Sequence, residues 1–358
     1  YENLGAAMGI VNADLSKDKV ITLPGLSTAL SSLAGYGQGA VLSFSAVLTD
    51  LAGNKRDGSV SGSKLTVDTG VPVDFATGVV TAVGGVVQVG YWNASNSGLT
   101  VSVPIANDVS LTGGTVQIQG KVGSGSYSAL GSAVALLSGD LAGNKVIPVS
   151  PSQLADHPNY GQGKEFTFRG VLMDLAGNKK DGAPSGNTLT IDTVLPTASL
   201  SYTVGGSPVS RVKEFAEVLV TATLSESVAA APVLQISASG DNTVSAVDMT
   251  FGSSTSYTYS WTVDAGDGNT NFVVSVAKDL AGNVIVATPT AGGIIIVDNT
   301  DPSVFTTGVV TAVGGEVQTG YWNASNSGLT VSVPIAGDVS LTGGTVQIQG
   351  KVGSGSYS

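Results

Sequence analysis

The chain repeats its own sequence, and this feature constrains the fold more than any other. Residues 303–358 copy residues 73–128 at an offset of 230, with six differences in 56 positions. A weaker match at an offset of 124 joins the start of the chain to its middle, where Tyr36-Gly37-Gln38-Gly39 recurs as Tyr160-Gly161-Gln162-Gly163. Self-similarity at a fixed spacing is typical of chains that use one structural unit several times.

Short linkers that contain Asp and Pro mark the boundaries between the units. They read VDTGVP, IDTVLP and VDNTDP, and each follows an apolar run and precedes another. The sequence therefore predicts a partial domain at 1–72, complete domains at 73–196 and 197–302, and a second partial domain at 303–358. The first partial domain matches the back of the 73–196 unit, and the last matches its front.

Apolar and polar residues alternate along most of each unit, which is the pattern of half-buried strands. Val, Thr and Ser abound, while the helix formers Glu, Lys and Met are scarce. One short helical turn is predicted at Pro151–His157. Strands separated by Gly, Asn, Asp or Pro indicate an all-β antiparallel sandwich in each complete unit. The predicted strands are 77–83, 86–91, 99–105, 115–122, 132–138, 145–149, 164–173, 187–192, 217–224, 232–238, 244–251, 256–263, 271–278 and 293–298.

The composition argues against several classes of function. The chain has no cysteine, so disulfides and Cys-ligated metals are excluded. A net charge of −11 argues against nucleic acid or an anionic membrane as a partner. No apolar run approaches the roughly 18 residues that span a bilayer. The single histidine, His157, is expected to be a surface residue rather than a catalyst, and we predict that the chain is not an enzyme.

The pentapeptide Asp-Leu-Ala-Gly-Asn occurs four times, and three copies follow a strand-like run. These three are FSAVLTDLAGN (Phe44–Asn54), FRGVLMDLAGN (Phe168–Asn178) and VVSVAKDLAGN (Val273–Asn283). The pattern resembles the tandem bacterial immunoglobulin-like domains of large surface adhesins and extracellular stalk proteins, in which this turn joins the last two strands. The resemblance implies tandem immunoglobulin-like antiparallel β-sandwiches, arranged as an extended rod at the bacterial cell surface. The fourth copy, Asp140–Asn144, departs from the family pattern.

The same resemblance implies that Asp, Asn and Glu side chains from several loops lie together at the junctions between domains, where many such adhesins bind calcium. Asp and Asn oxygens are hard ligands of the kind that Ca²⁺ takes six to eight at a time. Calcium and plain turns both stay open, because Asp, Gly and Asn are also common hairpin residues. A loop at Asp264–Asn269 is expected at the opposite end of its domain, near the third linker. The candidate ligands are Asp68, Asp108, Asp140, Asn144, Asp174 and Asn178 at the first junction, Asp192, Glu226, Asp279 and Asn283 at the second, and Asp298, Asp301 and Asp338 at the third.

We therefore predict a structural repeat segment of an extracellular bacterial adhesin, stalk or fibre, stiffened by calcium (Ca2+) and in contact with neighbouring copies of the same repeat. Two alternatives stay open. The terminal partial domains could complement each other in a head-to-tail polymer, since Tyr357 and Tyr1 both align with Tyr127, or they could be pieces of a longer polypeptide. The other alternative is a module that binds a glycan, ice or another surface ligand through an exposed sheet face. Separately, Trp92, Trp261 and Trp322 could form a platform on which a sugar stacks, although a Trp half-buried at a strand edge explains them as well.

Overall fold

The computed structural model describes residues 1–229 and 233–356, so Pro232, the first residue of one predicted strand, and Tyr357 lie outside the described residues. The chain divides into two compact units, Tyr1–Val194 and Leu195–Ser358. The division into four domains stays a prediction. No helix among the described residues is long and apolar enough to cross a membrane.

The regular secondary structure of the described residues is almost entirely β, as predicted. The α-helices are α1 (Ser27–Ser31) and α2 (Pro151–Ala155), and the 3-10 helices are Asn12–Asp14, Val109–Leu111, Ser138–Asp140 and Val339–Leu341. Helix α2 confirms the predicted helical turn, and it begins with a capping box in which Ser150 and Gln153 each bond to the other's backbone N–H.

The first unit contains fourteen strands, four of which precede residue 73. They are β1 (Val41–Ser43), β2 (Val47–Thr49), β3 (Lys55–Asp57), β4 (Lys64–Thr66), β5 (Val80–Val83), β6 (Tyr91–Trp92), β7 (Gly98–Ile105), β8 (Thr115–Val122), β9 (Ser128–Ala129), β10 (Val134–Ala135), β11 (Gly143–Val149), β12 (Glu165–Met173), β13 (Lys179–Asp181) and β14 (Leu189–Ile191).

The described part of the second unit contains twelve strands. They are β15 (Ala198–Val204), β16 (Ser207–Pro208), β17 (Arg211–Val212), β18 (Glu217–Leu224), β19 (Gln235–Gly240), β20 (Val244–Asp248), β21 (Thr250–Ser253), β22 (Ser256–Thr262), β23 (Gly268–Ser275), β24 (Ile294–Val297), β25 (Val310–Val313) and β26 (Gly328–Val331).

Residues 80–191 enclose one hydrophobic core between two sheets. One sheet has the strand order β10-β8-β12-β14-β6, with β9 beside β8 and β13 beside β12, and the other has the order β11-β7-β5. Alternate residues of β7 and β8 are buried, which confirms the predicted two-residue period. Phe166 and Phe168 on β12 lie fully buried in this core, with their rings stacked at a centroid distance of 6.0 Å.

Residues 198–297 enclose a second core in the same way. The two sheets have the orders β16-β15-β18-β22-β21 and β17-β24-β23-β19-β20. The rings of Trp261 and Phe272 meet edge to face inside it, at a centroid distance of 5.2 Å. The ladders of described residues are antiparallel, except for a two-residue parallel pair in each complete sandwich, β14 with β6 and β17 with β24.

Two local expectations were wrong. Residues 86–90 form no strand, because the side-chain amides of Asn93 and Asn96 both donate to the Val86 carbonyl, at 2.7 and 3.1 Å, and fold this segment into a turn. Strand β15 was not predicted, although Ala198, Leu200 and Tyr202 alternate with polar residues and are buried.

Candidate metal sites

Three copies of the Asp-Leu-Ala-Gly-Asn motif form the same closed turn, at Asp50–Asn54, Asp174–Asn178 and Asp279–Asn283. In each turn one carboxylate oxygen of the Asp accepts the backbone N–H of the Asn at 2.8 Å, and the other accepts the Asn side-chain amide at 2.7–2.9 Å. The glycines of these turns, Gly53, Gly177 and Gly282, have φ values of +91°, +96° and +91°, which is a left-handed conformation that favours glycine. The carboxylate therefore closes the turn and is held in one orientation.

The fourth copy of the motif, Asp140–Asn144, folds differently. The Asp140 carboxylate accepts hydrogen bonds from the Lys145 ammonium at 2.5 Å and from the Leu137 N–H at 2.8 Å. Asp140 is the last residue of the 3-10 helix Ser138–Asp140. These hydrogen bonds, that of Lys145 first, lower the pKa of Asp140. Asp14 is held in the same way near the start of the chain. Asp140, although predicted as a metal ligand, therefore already has a cationic partner.

In the second unit, Glu226 and Asp279 bring two carboxylates together. Asp279 and Asn283 are buried, with exposures of 2% and 3%, and Glu226 is half-buried. Carboxylate oxygens of Glu226 and Asp279 lie within 4.8 Å of each other. A β-bridge between Val228 and Asp279 fixes the loop that carries Glu226 against the turn. The bridge therefore holds the backbone of this loop beside Asp279.

The first residues of the second unit are tied to the same loop. Thr197 donates its N–H to the Ser225 hydroxyl at 2.9 Å, and Ser225 donates its N–H to the Thr197 carbonyl at 2.9 Å. Because Ser225 adjoins Glu226, the segment that leads into this domain is held beside the carboxylate pair.

The carboxylate oxygens of Asp279 and Glu226 fit a calcium ion in chemistry and spacing. Ca²⁺ takes oxygen ligands at about 2.3–2.6 Å, so two ligands of one ion can lie about 5 Å apart. Each Asp279 oxygen accepts one hydrogen bond from Asn283 and keeps a further lone pair for a metal. Two carboxylates this close repel each other unless a positive charge lies nearby.

At the first junction, only some of the predicted ligands lie close together. Asp174 is buried, and the side-chain amide of Asn178 donates both to its carboxylate and to the backbone carbonyl of Asp68, the latter at 3.2 Å. Leu175 donates its N–H to the Ser110 carbonyl at 3.0 Å, which holds the loop after β7 against the same turn.

The remaining ligands predicted for the first junction have other roles. Asp108 caps the 3-10 helix Val109–Leu111 and accepts the N–H and hydroxyl of Ser110 at 2.9 and 2.8 Å. Asn144 is exposed on β11. Within the first unit, the described residues include no group of three acidic or histidine side chains whose ligand atoms lie within 4.8 Å of one another.

Two glutamines at equivalent positions, which were not among the predicted site residues, each bind the linker that follows their repeat. Gln162 donates its side-chain amide to the Asp192 carboxylate and accepts the Thr193 N–H at 3.1 Å. Gln38 makes the same pair of contacts with the linker at Asp68. The signal was available at the offset of 124, where Tyr-Gly-Gln-Gly and the Asp-Thr pair of the linker recur together.

At the third linker an arginine lies among the predicted ligands. Arg211 Nη1 lies 3.7 Å from a carboxylate oxygen of Asp298. Hydrogen bonds from Ser340 lower the pKa of Asp338, and the charge of Arg211 adds a smaller contribution. Asp301 is exposed. Two of the three predicted ligands therefore already interact with a protein cation.

The loop at Asp264–Asn269 lies at the third linker, as predicted. Asn299 of the linker donates its N–H to the Asp267 carboxylate and its side-chain amide to the Gly266 carbonyl, both at 2.6 Å. The Asn299 side chain also accepts the Glu214 N–H at 2.6 Å. Asp267 thus holds this linker much as the glutamines hold the other two.

The single histidine and two of the tryptophans belong to the cores. His157 is buried, its Nε2 lies 3.1 Å from the Gly120 carbonyl oxygen, and its ring meets that of Phe166 at a centroid distance of 5.0 Å. The expectation that His157 is a surface residue was wrong, because the ring fills the interior beneath α2. Trp92 and Trp261 are also buried, so neither offers a flat face to a sugar.

The fold and these turns define a chain of all-β sandwich domains with asparagine-closed hairpin turns. No protein-family model and no curated protein matches the sequence. Among solved structures, a 1.5-MDa bacterial ice-binding adhesin is 20% identical with a TM-score of 0.34, covering 76% of this chain and 77% of that chain. The FN1–FN3 domains of chicken CNTN1 are 17% identical (TM-score 0.25, 68% and 73% covered). The C-terminal domain of the Streptococcus agalactiae AgI/II polypeptide BspA is 11% identical (TM-score 0.26, 62% and 100% covered). With TM-scores below 0.5, these similarities support no inference about function.

Proposed function

We propose that this chain is a structural repeat segment of an extracellular bacterial adhesin, stalk or fibre. The observation that carries the proposal is the reuse of one domain, since segments nearly identical to the front of the 73–194 sandwich, and related to its back, occur elsewhere in the chain. A binding site needs one copy, whereas a spacer gains length from every copy. In arrays of this kind each domain contacts its neighbours only, and those contacts determine the stiffness.

A structural role also agrees with the residues that catalysis would need. The only histidine is enclosed in a core and bonded to a backbone carbonyl, so it is not placed to act as a base on a substrate. Trp92 and Trp261 are buried, so two of the three tryptophans that could form a sugar-stacking platform offer no exposed ring face.

We propose further that calcium stiffens the array at the second junction. Glu226, Asp279 and Asn283 supply oxygens from two loops of one domain. Chain connectivity adds Asp192, which precedes Leu195 by three residues. Extracellular modules commonly bind Ca²⁺ with a Kd of about 10⁻⁴–10⁻³ M, which suits a surface protein. The first junction is a weaker candidate, and Arg211 at the third favours an ion pair there instead of a metal.

Calorimetric melting in millimolar calcium and then in excess chelator tests this proposal. A ligand that binds only the folded state adds RT ln(1 + [L]/Kd), which is about 0.4–1.4 kcal/mol when millimolar calcium is about 1–10 times the Kd. We expect the transition of the 197–302 domain to move up by roughly 4–8 °C per kcal/mol. Magnesium at the same concentration is the matched control, because it prefers a smaller octahedral site. Identical melting curves in calcium and in chelator would contradict calcium binding at the second junction, but they would not contradict the role as a structural spacer.

A further inference from the structure

The linkers that follow the two complete sandwiches begin in the same way. Asp192 and Asp298 each donate the backbone N–H, at 2.8 Å, to the carbonyl of the last residue of a two-residue strand, β6 in the first unit and β17 in the second. That strand begins with Tyr91 in the first unit and with Arg211 in the second. The second unit therefore places a cation at the position where the first unit has a neutral ring.

The side chain of the linker aspartate is bound differently in the two units. In the first unit the side-chain amide of Gln162 donates to the Asp192 carboxylate. In the second unit Arg211 Nη1 lies 3.7 Å from a carboxylate oxygen of Asp298, and the two side chains are 37% and 21% exposed. An ion pair with this exposure is screened by salt. The linker after the second sandwich is therefore held by a contact that depends on charge.

The loop that carries Asp338 belongs to the end of its domain that meets this linker. In the complete copy, one closed turn binds both the entering linker and the equivalent loop. The side-chain amide of Asn178 donates to the Asp68 carbonyl at 3.2 Å, and Leu175 donates its N–H to the Ser110 carbonyl at 3.0 Å. Asp338 lies in the copy of that loop, so its carboxylate belongs to the end at which the third linker enters.

The two copies of the repeated segment differ mainly at this end. Four of their six differences lie either directly after the linker or beside the aspartate of this loop. They are Val73 and Ser303, Asp74 and Val304, Ala76 and Thr306, and Asn107 and Gly337. The first copy follows a segment related to the back of its own domain, whereas the second copy follows the 197–302 domain. The surface at this end therefore varies with the type of domain that precedes it.

We propose that Arg211 joins the 197–302 domain to the domain that follows it, by binding the carboxylates of both Asp298 and Asp338. The inference rests on the proposed tandem array and adds a second kind of junction to it. A guanidinium carries five N–H donors, so one arginine can serve two carboxylates. Hydrogen bonds from Ser340 lower the pKa of Asp338, and the charge of Arg211 lowers it further.

A junction of this kind needs no metal. The cation is a side chain of the chain itself and stays charged at neutral pH. The contact should therefore form in chelator as it does in calcium, and it should weaken as salt screens the charges. The second junction has the opposite expectation, because chelator removes its proposed cation.

A zero-length cross-link tests the inference on the full chain. Arg211→Lys keeps the charge and supplies an amine that a carbodiimide joins to a carboxylate in contact with it. We expect links from the new lysine to Asp298 and to Asp338, mapped by mass spectrometry in the monomeric product. Peptides with Asp338 are distinguished from those of the other copy by mass, because Gly337 replaces an asparagine. The native pair of Lys145 and Asp140, which lies within one domain, is the internal reference.

The yield of the link between positions 211 and 338 is measured against that reference. It should be equal in chelator and in calcium, and it should fall about two- to fivefold between 0.1 and 1 M NaCl, as for an exposed ion pair. Absence of this link while the reference link forms would overturn the inference, whether or not position 211 is joined to Asp298. A link that requires calcium would also overturn it. Neither outcome affects the calcium proposal at the second junction, which the melting experiment tests separately.

Discussion

Truncation of Leu172 to alanine is expected to destabilise the 73–194 domain by about 2–5 kcal/mol, the range for a leucine removed from a well-packed core. Leu172 lies on β12, is 1% exposed and belongs to the core between the two sheets. Leu48→Ala removes the same side chain from a similar sequence context, where it is exposed, and is expected to change stability by less than about 0.5 kcal/mol.

Hydrogen exchange of the β12 peptide measures this difference directly, because protection in a core strand reports the free energy of opening. Peptides from β8 are unsuitable, since residues 345–352 have the same sequence as residues 115–122. Strand β18, in the other core, is the internal control and should be unaffected by either variant. Equal loss of protection in the Leu172→Ala and Leu48→Ala chains would contradict the difference in burial between Leu172 and Leu48.

The second large loss of stability is expected when Asp279 is replaced by alanine. Its carboxylate accepts both the backbone and the side-chain N–H of buried Asn283, so Asp279→Ala leaves buried donors without their acceptor, at about 1–3 kcal/mol each. The loss should appear in chelator as well as in calcium. Asp50→Ala removes the same bonds from an exposed turn, where water replaces them, and no shift in either main transition is expected.

Asp279→Asn separates the structural role from the metal role. The amide oxygen can still accept one of the two Asn283 N–H groups, whereas the new NH2 group cannot accept the other, and the negative charge is lost. We therefore expect a smaller loss of stability in chelator than with Asp279→Ala, and we expect the calcium-dependent increase in melting temperature to disappear. A full calcium response in Asp279→Asn would show that Asp279 is not a ligand.

The longer strands follow from the sequence because buried and less buried residues alternate along most of their length. Strands β7, β8, β12 and β18 lie where the two-residue period placed them. Strand β15 has the same alternation, so the sequence also carries the signal for this strand. The turn at residues 86–90 could not be anticipated from its apolar content, because side chains of Asn93 and Asn96 decide its path.

The candidate sites show what a local motif leaves undetermined. One pentapeptide forms three closed turns but a different structure at Asp140, although Lys55 and Lys179 follow two of the closed turns just as Lys145 follows this copy. Long-range contacts also decide burial, so Trp92 and Trp322 have the same neighbours in sequence and opposite exposures. The linker glutamines Gln38 and Gln162 act across about thirty residues, beyond the reach of a motif.

Small-angle X-ray scattering in calcium and in chelator tests the central claim most directly, at a concentration where the chain is monomeric. If calcium fixes the second junction, chelation should broaden the distribution of interatomic distances and make the scattering that of a more flexible particle. Asp279→Asn should scatter in calcium as the unmodified chain does in chelator. Superimposable curves for the unmodified chain with and without calcium would contradict a calcium-stiffened array.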